Sequence, residues 1–508
     1  MTPAGVYATD WLARRAQLTP ERIAIVDRAN GMQTTYAQWN ERANRTAGLL
    51  QQLGVGRGDR VAVYSSNCAE YLDLFWAAPK IGAVLQNLNW RLTVHELQGI
   101  VASGGPKVFI YGEAWREQVR QLKRSFTTVG HVVAIGDPDP GELGLAERDA
   151  MSAQLEALPA LTLDDPWGIY YTGGTTGLPK GAVLTHGNIT WNSVNTVTSW
   201  GLHAGHSAPL QLPFFHIGGP NIFMAPLVHV GGTTILCAGF DPEETFDLVE
   251  QAGITHYVGV PTMFQLLQEH PRWGSVDFSR LELVISGGAP CPLPVMEKFW
   301  ERGVDFKMGY GLTEASGNNF WLPPGEVRSR KGSVGYPNFH IDMKTVREDG
   351  SSCSPGEAGE LLIRGPNVFA GYWNDPAATA ATLRDGWLHT GDIAMRDDDG
   401  RYTILGRSKE MFISGGENVY PAEVESALLA HPGVTAAAVV GVPHETWGEV
   451  GRAFIVVAAD YDEAALRAYL AGRLARYKLP RSIVVVDALP LTAIGKIDKK
   501  LLAAMEPG

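Results

Sequence analysis

Cysteine is scarce in this chain: Cys68, Cys237, Cys291 and Cys353 are the only four in 508 residues. They are scattered, with no C-x-x-C pair and no histidine at zinc-ligand spacing. That excludes a disulfide framework or a zinc-finger-type site and reads as reduced thiols in a cytoplasmic chain. Positive charge is also in deficit, 42 Lys and Arg against 54 Asp and Glu, for a net charge of -12. Non-specific binding to nucleic acid or to an acidic lipid surface is therefore not expected, although a local basic patch for an anionic ligand remains open. Long apolar runs are missing: no uncharged stretch reaches the ~18 residues that a membrane span needs. Met1 to Gln17 carries no signal-peptide core, Arg14-Arg15 lacks an export context, and Met505-Glu506-Pro507-Gly508 is not a peroxisomal tripeptide. The expected location is the cytoplasm, with no integral membrane segment and no nucleic-acid partner; a homodimer is left open.

What is present describes a globular chain with ample core: 45% hydrophobic and 19% charged residues, long enough for about three units of ~150 residues. Strand-like and helix-like periods alternate from Val6 onward: helix at Asp10 to Ala16, strand at Ile23 to Asp27, helix at Tyr36 to Leu53, strand at Arg60 to Tyr64, helix at Ala69 to Ile81. This alternation predicts βαβ units and a parallel sheet. Asp137 to Leu161, acidic and rich in Gly, Pro and Ala, reads as a connector. Short strands follow at Leu210 to Pro213, Thr233 to Cys237, His256 to Val260 and Leu281 to Ser286, the last running into Gly287-Gly288-Ala289-Pro290. Glycines directly after a strand mark the edge where open α/β sheets bind ligands. Beyond Gly332 the pattern turns to β-like segments, Gly359 to Gly365 and Arg401 to Gly406, which predicts a small antiparallel subdomain. After Arg407 a compact unit follows. It has a helix opened by Pro421, strands at Thr435 to Gly441 and Ala453 to Ala458, an amphipathic helix at Asp462 to Tyr477 and a last strand at Ser482 to Val486. The expected fold class is α/β: a large N-terminal body of two α/β subdomains plus a small β subdomain, and a small mobile C-terminal α/β domain.

The chain is organised around Tyr170-Tyr171-Thr172-Gly173-Gly174-Thr175-Thr176-Gly177-Leu178-Pro179-Lys180-Gly181. A short aromatic strand precedes the loop and apolar Ala182 to His186 follows it. Glycines let a backbone approach, exposed N–H groups and threonine hydroxyls donate to oxygens, and the lysine adds charge, which suits a polyanion. The P-loop spacing is absent. Taken alone, the loop could equally be a glycine-rich hairpin turn.

Four further blocks stand beside it: Tyr310-Gly311-Leu312-Thr313-Glu314, Trp387 to Asp392, Gly406-Arg407-Ser408-Lys409-Glu410 and Gly495-Lys496. In this order and spacing, across nearly the whole chain, they resemble the adenylate-forming (AMP-binding) superfamily, in its acyl-CoA synthetase branch. The resemblance implies residues 1–406 as the AMP-binding body, 407–409 as a hinge and 410–508 as a lid. It implies ATP, Mg²⁺ and CoA as the small molecules used. Thr172, Gly173, Gly174, Thr175, Thr176, Gly177 and Lys180 would grip the phosphates. Gly288, Ala289, Pro290, Gly309, Tyr310 and Gly311 would face the adenine, Thr313 a phosphate oxygen, Asp392 the ribose hydroxyls and Arg407 the ribose or phosphate. Glu314 would hold Mg²⁺, which favours one or two carboxylates plus substrate phosphates. Arg407 could alternatively form a salt bridge at the domain boundary.

Lys496 is the expected catalytic cation. A carboxylate attacking the α-phosphate must overcome anion repulsion, and an ammonium ~4 Å from the developing charge is worth about 4 kcal/mol at an effective dielectric near 20. Lys499 and Lys500 read as surface lysines of a tail. By resemblance, Lys409 is the hinge that rotates the lid, and Ser414, Gly415 and Gly416 would meet the pantetheine arm of CoA. Gly173 stands where the family usually has serine, and Glu410 where it usually has aspartate.

The stretch Phe214 to Pro226 has no acidic residue to pair with an α-amine, so an acid without one is expected. His216 would abut the carboxylate, and Asn221, Ile222, Val260, Gly287 and Gly309 would form the acyl pocket. A small-molecule apolar acid fits, with a fatty acid favoured. The alternatives are an aryl acid of benzoate or cinnamate type and a stand-alone adenylation enzyme loading a carrier protein.

Overall fold

The computed structural model describes residues 6–155, 158–172, 179–414, 417–445, 447–458, 461–492 and 496–505. Its largest sheet runs in the order Gly371–Tyr372, Lys180–Thr185, Pro166–Thr172, Val84–Asn87, Arg60–Tyr64, Val108–Gly112, His131–Ile135 and Leu143–Gly144. Pairing from Pro166–Thr172 onward is parallel, and the strands Lys180–Thr185 and Gly371–Tyr372 close the edge antiparallel. Val61, Ala62 and Val63 and the run Val108 to Tyr111 are fully buried. Continuous burial is what covering both faces of a parallel sheet demands. On one face Trp39, Phe75, Trp76 and Trp167 interlock with rings at 5.2 to 6.0 Å.

The helices start where side chains cap them. Thr35 with Gln38, Thr93 with Glu96 and Thr185 with Asn188 form reciprocal capping boxes at Tyr36–Gln52, Val94–Gly104 and His186–Trp200. Each cap contributes about 1 kcal/mol. The presumed connector does more than connect. Leu143–Gly144 is the last strand of the large sheet, and Arg148 enters the core to donate to buried Asp73 at 2.8 Å.

A second α/β unit carries a parallel sheet of His256–Gly259, Leu283–Ser286 and Phe306–Met308. Beside it, Ser207–Leu210, Thr233–Leu236, Ile23–Asp27 and Gln33–Thr35 pair in that order. The strand expected at Leu210 to Pro213 thus lies three residues earlier, because pairing with Thr233–Leu236 ends at Leu210. The antiparallel subdomain is built on Asp342–Val346, Ala358–Arg364, Trp387–Arg396 and Tyr402–Arg407.

From Arg407 the chain crosses to a separate sheet over Ser408 to Met411 and resumes at Phe412–Ser414. There Val434–His444 and Gly448–Val457 form a long hairpin, covered by Pro421–Leu429 and Glu463–Ala471. The helix expected to reach Tyr477 stops at Ala471, where Gly472 caps it, and only a short 3₁₀ turn, Arg476–Lys478, follows.

Candidate active site

The strands flanking the organising loop pair as a β-hairpin, as one of its two sequence readings expects. Pro166–Thr172 and Lys180–Thr185 pair antiparallel up to Thr172 opposite Lys180. Gly173, Gly174, Thr175, Thr176 and Gly177 lie outside the described residues, as do Gly415 and Gly416. At the hairpin mouth the Lys180 ammonium sits 5.1 Å from the centre of the Tyr372 ring. The Tyr372 hydroxyl in turn donates to Glu314 Oε1 at 2.8 Å. Tyr372 was not anticipated from sequence. Its signal is weak, an aromatic run at Phe369 to Trp373 that also reads as core.

Glu314 lies in the turn Thr313–Ala315, which follows the strand Phe306–Met308 through Gly309, Tyr310 and Gly311. Gly311 has a hard steric cause: a Cβ there would stand 1.5 Å from the Gly317 carbonyl oxygen. Tyr310 Oη donates to Asp392 Oδ2 at 2.5 Å, and Arg407 Nε meets Asp392 Oδ1 at 2.7 Å. Asp392 and Arg407 are directly opposite each other on adjacent strands. Arg407 therefore pairs within the antiparallel subdomain and not across a domain boundary. Burial raises the Asp392 pKa, with Arg407 opposing that shift. A carboxylate has about four acceptor positions, so two remain for another donor.

Gly288, Ala289 and Pro290 are exposed at the carboxyl end of the three-stranded sheet, where Gly288 adopts φ +79° and Val260 stands behind it. Gly309 and Gly287 are tied to neighbouring strands through Ser286 and Gly259 carbonyls. A Cβ on Gly309 would meet Ile285 at 2.7 Å. His216 opens onto the cleft, its Nδ1 accepting from the Gly218 N–H at 3.1 Å. Desolvation, then the charges of Lys496 and Arg91, push its pKa down to about 4. Asn221 is fully buried, and its amide donates to the Ser316 carbonyl at 3.1 Å, which braces the turn carrying Glu314. Ile222 packs into the cluster of Phe223, Val258 and Ile285.

Lys496 belongs to the C-terminal sheet domain but acts electrostatically on Asp392, Glu314, His216 and Arg407 of the body. The C-terminal domain thus brings Lys496 into the neighbourhood of these side chains. Desolvation, then the Arg407 charge, hold its pKa below the lysine value. Its backbone is tied to Thr492: the Thr492 N–H donates to the Lys496 carbonyl at 2.7 Å and the Lys496 N–H to Thr492 Oγ1 at 3.2 Å. Lys499 is not a tail lysine. It bridges Glu410 at 3.0 Å and Glu425 at 2.8 Å, joining the last helix to the turn after Lys409. Burial and the Arg407 charge lower the Lys409 pKa. Ser414 is buried at the end of its strand. All four cysteines are free thiols. No helix among the described residues is long and apolar enough to cross a membrane.

A large α/β body with glycine-edged strands, and a small domain that sets one lysine over them, define a nucleotide-activating enzyme. The chain belongs to the AMP-binding enzyme family, whose model matches residues 12–373, with the model of the AMP-binding enzyme C-terminal domain matching residues 423–496. A feruloyl-CoA synthase of Amycolatopsis sp is 43% identical over 492 residues, 96% of this chain and 97% of that protein. An indoleacetate–CoA ligase of Aromatoleum aromaticum is 37% identical, covering 97% of this chain and 96% of that one. A long-chain-fatty-acid–CoA ligase of Mycobacterium tuberculosis is 35% identical over 97% of each. Among solved structures, ATP-bound MatB from Rhodopseudomonas palustris aligns with a TM-score of 0.88 at 33% identity over 98% of both chains. Its apo form aligns at 0.80, with 32% identity over 98% of both chains. The protein is an AMP-forming acid–CoA ligase of the acyl-CoA synthetase branch, using a small-molecule acid, ATP and CoA, with Mg²⁺.

Proposed function

We propose that the acid is a compact aryl acid of the benzoate, cinnamate or arylacetate type, activated as its acyl-adenylate and then transferred to CoA. The observation that carries this reading is the floor behind Ile222. Phe223 packs against Trp200 with rings 5.8 Å apart, and Trp200 stacks on Trp321 at 5.9 Å. In this reading the three buried or half-buried rings would close the inner end of the acyl pocket, where a long alkyl chain needs a continuing channel and a planar ring needs only apolar and aromatic walls. The named relatives support it: the feruloyl and indoleacetate enzymes act on aryl acids. A fatty acid is the second reading, supported by the mycobacterial relative. Phe223→Ala would open the floor into the small cavity that Phe223 lines with Leu212, Gly218 and Val258. The dodecanoate-to-cinnamate ratio of kcat/KM is expected to rise by about tenfold or more, as even one buried methylene is worth about 1–3 kcal/mol. An unchanged ratio would remove Phe223 as the length gate.

The residues then take these roles. Tyr310 lies against adenine, and Asp392 accepts the ribose hydroxyls while Arg407 and Tyr310 hold it in place. Glu314 fits Mg²⁺: it is a hard oxygen donor with one oxygen fixed by Tyr372, and among the described residues no group of three or more His, Cys, Asp or Glu could hold a metal on its own. The ion when bound neutralises phosphate charge. Its other ligands would be phosphates and water. Thr313 donates to a phosphate oxygen. His216, neutral above pH ~4, stands beside the acid's carboxylate without adding charge that would blunt the nucleophile. The carboxylate attacks the α-phosphorus, pyrophosphate leaves, and Lys496 neutralises the charge that builds on the α-phosphate. The influence of Asp392 and Glu314 on Lys496 supports this lid orientation as the one that serves this half-reaction. Rotation about Lys409 withdraws Lys496 and turns Ser414, Gly415 and Gly416 to the pantetheine arm; the CoA thiolate then displaces AMP. Asp392→Asn is expected to raise KM for ATP by about 10- to 100-fold, since hydrogen bonds to a charged acceptor contribute 1.5–3 kcal/mol. Thermal stability should change little, because the Arg407 partner is 41% exposed and solvent-screened. Steady-state kinetics against ATP and a melting curve check both.

A further inference from the structure

Lys307 is a buried cation that the roles above leave unused, and among the described residues it differs from buried Lys80, Arg148 and Arg401 in having no ion pair. It sits in the strand Phe306–Met308, with Ile285 directly beside it in parallel register. Register neighbours share a sheet face, and Ile285 packs with Val258, Phe223, Trp200 and Ile222. Lys307 therefore belongs to the face that carries the acyl pocket, two residues before Gly309, or ~6.6 Å along the strand. Its side chain is fully buried, and its ammonium lies 4.4 Å from the Trp200 ring centre and 4.0 Å from that of Trp321. The two rings offer cation–π attraction, but Nζ has no hydrogen-bond partner among the described residues. Three donor positions thus stand without an acceptor on the sheet face that carries Ile285 and Gly309. Desolvation also pushes the group's pKa well below the lysine value. Such a group is costly to keep unless something pairs with it.

We propose that Lys307 is the distal specificity group of the acyl pocket, and that the acid carries a ring hydroxyl at the end opposite its carboxylate. This rests on the aryl-acid reading above. The carboxylate must lie near His216 and Gly309, where it meets ATP, so any partner for Lys307 lies on the far side of the ring. A phenolic oxygen suits both protonation states: an ammonium donates to it, and a neutral amine accepts its proton. The flanking tryptophans suit the ring that bears it. A second carboxylate would also pair with an ammonium, but it would bring a full charge into an otherwise apolar cluster.

The test compares 4-hydroxycinnamate, 4-carboxycinnamate, cinnamate and dodecanoate in wild type and Lys307→Met, reading kcat/KM for pyrophosphate exchange. Wild type is expected to favour 4-hydroxycinnamate over cinnamate on the order of 10²-fold. Lys307→Met should bring that ratio to about one, with cinnamate unchanged or improved. A ratio that survives the substitution, or an equal loss on both acids, would overturn the role of Lys307. So would a preference for 4-carboxycinnamate, which assigns the group to a second acid. Equal use of the two cinnamates by wild type would overturn this proposal and leave the aryl-acid reading standing. Activation of dodecanoate and none of the cinnamates would remove both. If the Met variant fails to fold, Lys307→Gln is read in the same way.

Discussion

Lys496→Ala should abolish most acyl-adenylate formation, by about 10²–10³-fold in kcat, while conversion of supplied acyl-AMP and CoA to thioester stays within a few-fold of wild type. The first half-reaction places a developing charge on the α-phosphate, and removing one preorganised donor to such a charge typically costs this much. The second half-reaction has AMP as leaving group and, in the proposed cycle, takes place with Lys496 turned away. An equal loss in both half-reactions would refute the rotating lid. The pH dependence is a companion reading. Lys496 must be cationic, and its pKa is held below the ordinary lysine value by desolvation and Arg407. The basic limb of kcat/KM for ATP, which reports the free enzyme, should therefore lie below the ~10.4 of an ordinary lysine. In Lys496→Ala that limb should vanish. His216, already neutral above pH ~4, should contribute no acidic limb near 6.5.

Glu314→Gln should be the second large loss. The substitution keeps an oxygen to accept from the Tyr372 hydroxyl and so spares the contact that links the turn to the loop hairpin. What disappears is the negative charge that favours a divalent cation. Adenylation should fall on the order of 10²-fold, with the Mg²⁺ concentration for half-maximal rate raised by about tenfold or more, as expected when a hard ion loses its protein carboxylate. Thioester formation from supplied acyl-AMP should be little affected. A magnesium titration unchanged from wild type would place the ion elsewhere.

The alternation of strand and helix in the first part of the chain was legible because continuous apolar runs and capped amphipathic helices carry their periods locally. The Tyr36 helix, for instance, ends within a residue of its expected position. The misplacements share a cause. The Asp462 helix was carried to Tyr477 because its apolar spacing continues past Gly472, where the backbone stops. The Asp137 segment hid a strand because a two-residue edge and one buried arginine leave little signal in an acidic stretch. At the site, the motif residues stand out in the sequence, whereas the contacts that join them to other side chains do not. Tyr372 touches Glu314 from 58 residues away. Lys499 looked like one of two tail lysines until Glu410 and Glu425 were seen to hold it. The acid itself has no such motif in the sequence. The contact on which the aryl-acid proposal rests, Phe223 on Trp200, is a tertiary one.

Pyrophosphate exchange over a panel of acids, followed by addition of CoA, tests the central reading most directly. Exchange should be strongest with aryl acids, and CoA should discharge the adenylate as aryl-CoA with one AMP per thioester. Exchange confined to alkanoates would contradict the proposed substrate class. An adenylate that accumulates and is not discharged by CoA would contradict the transfer step itself.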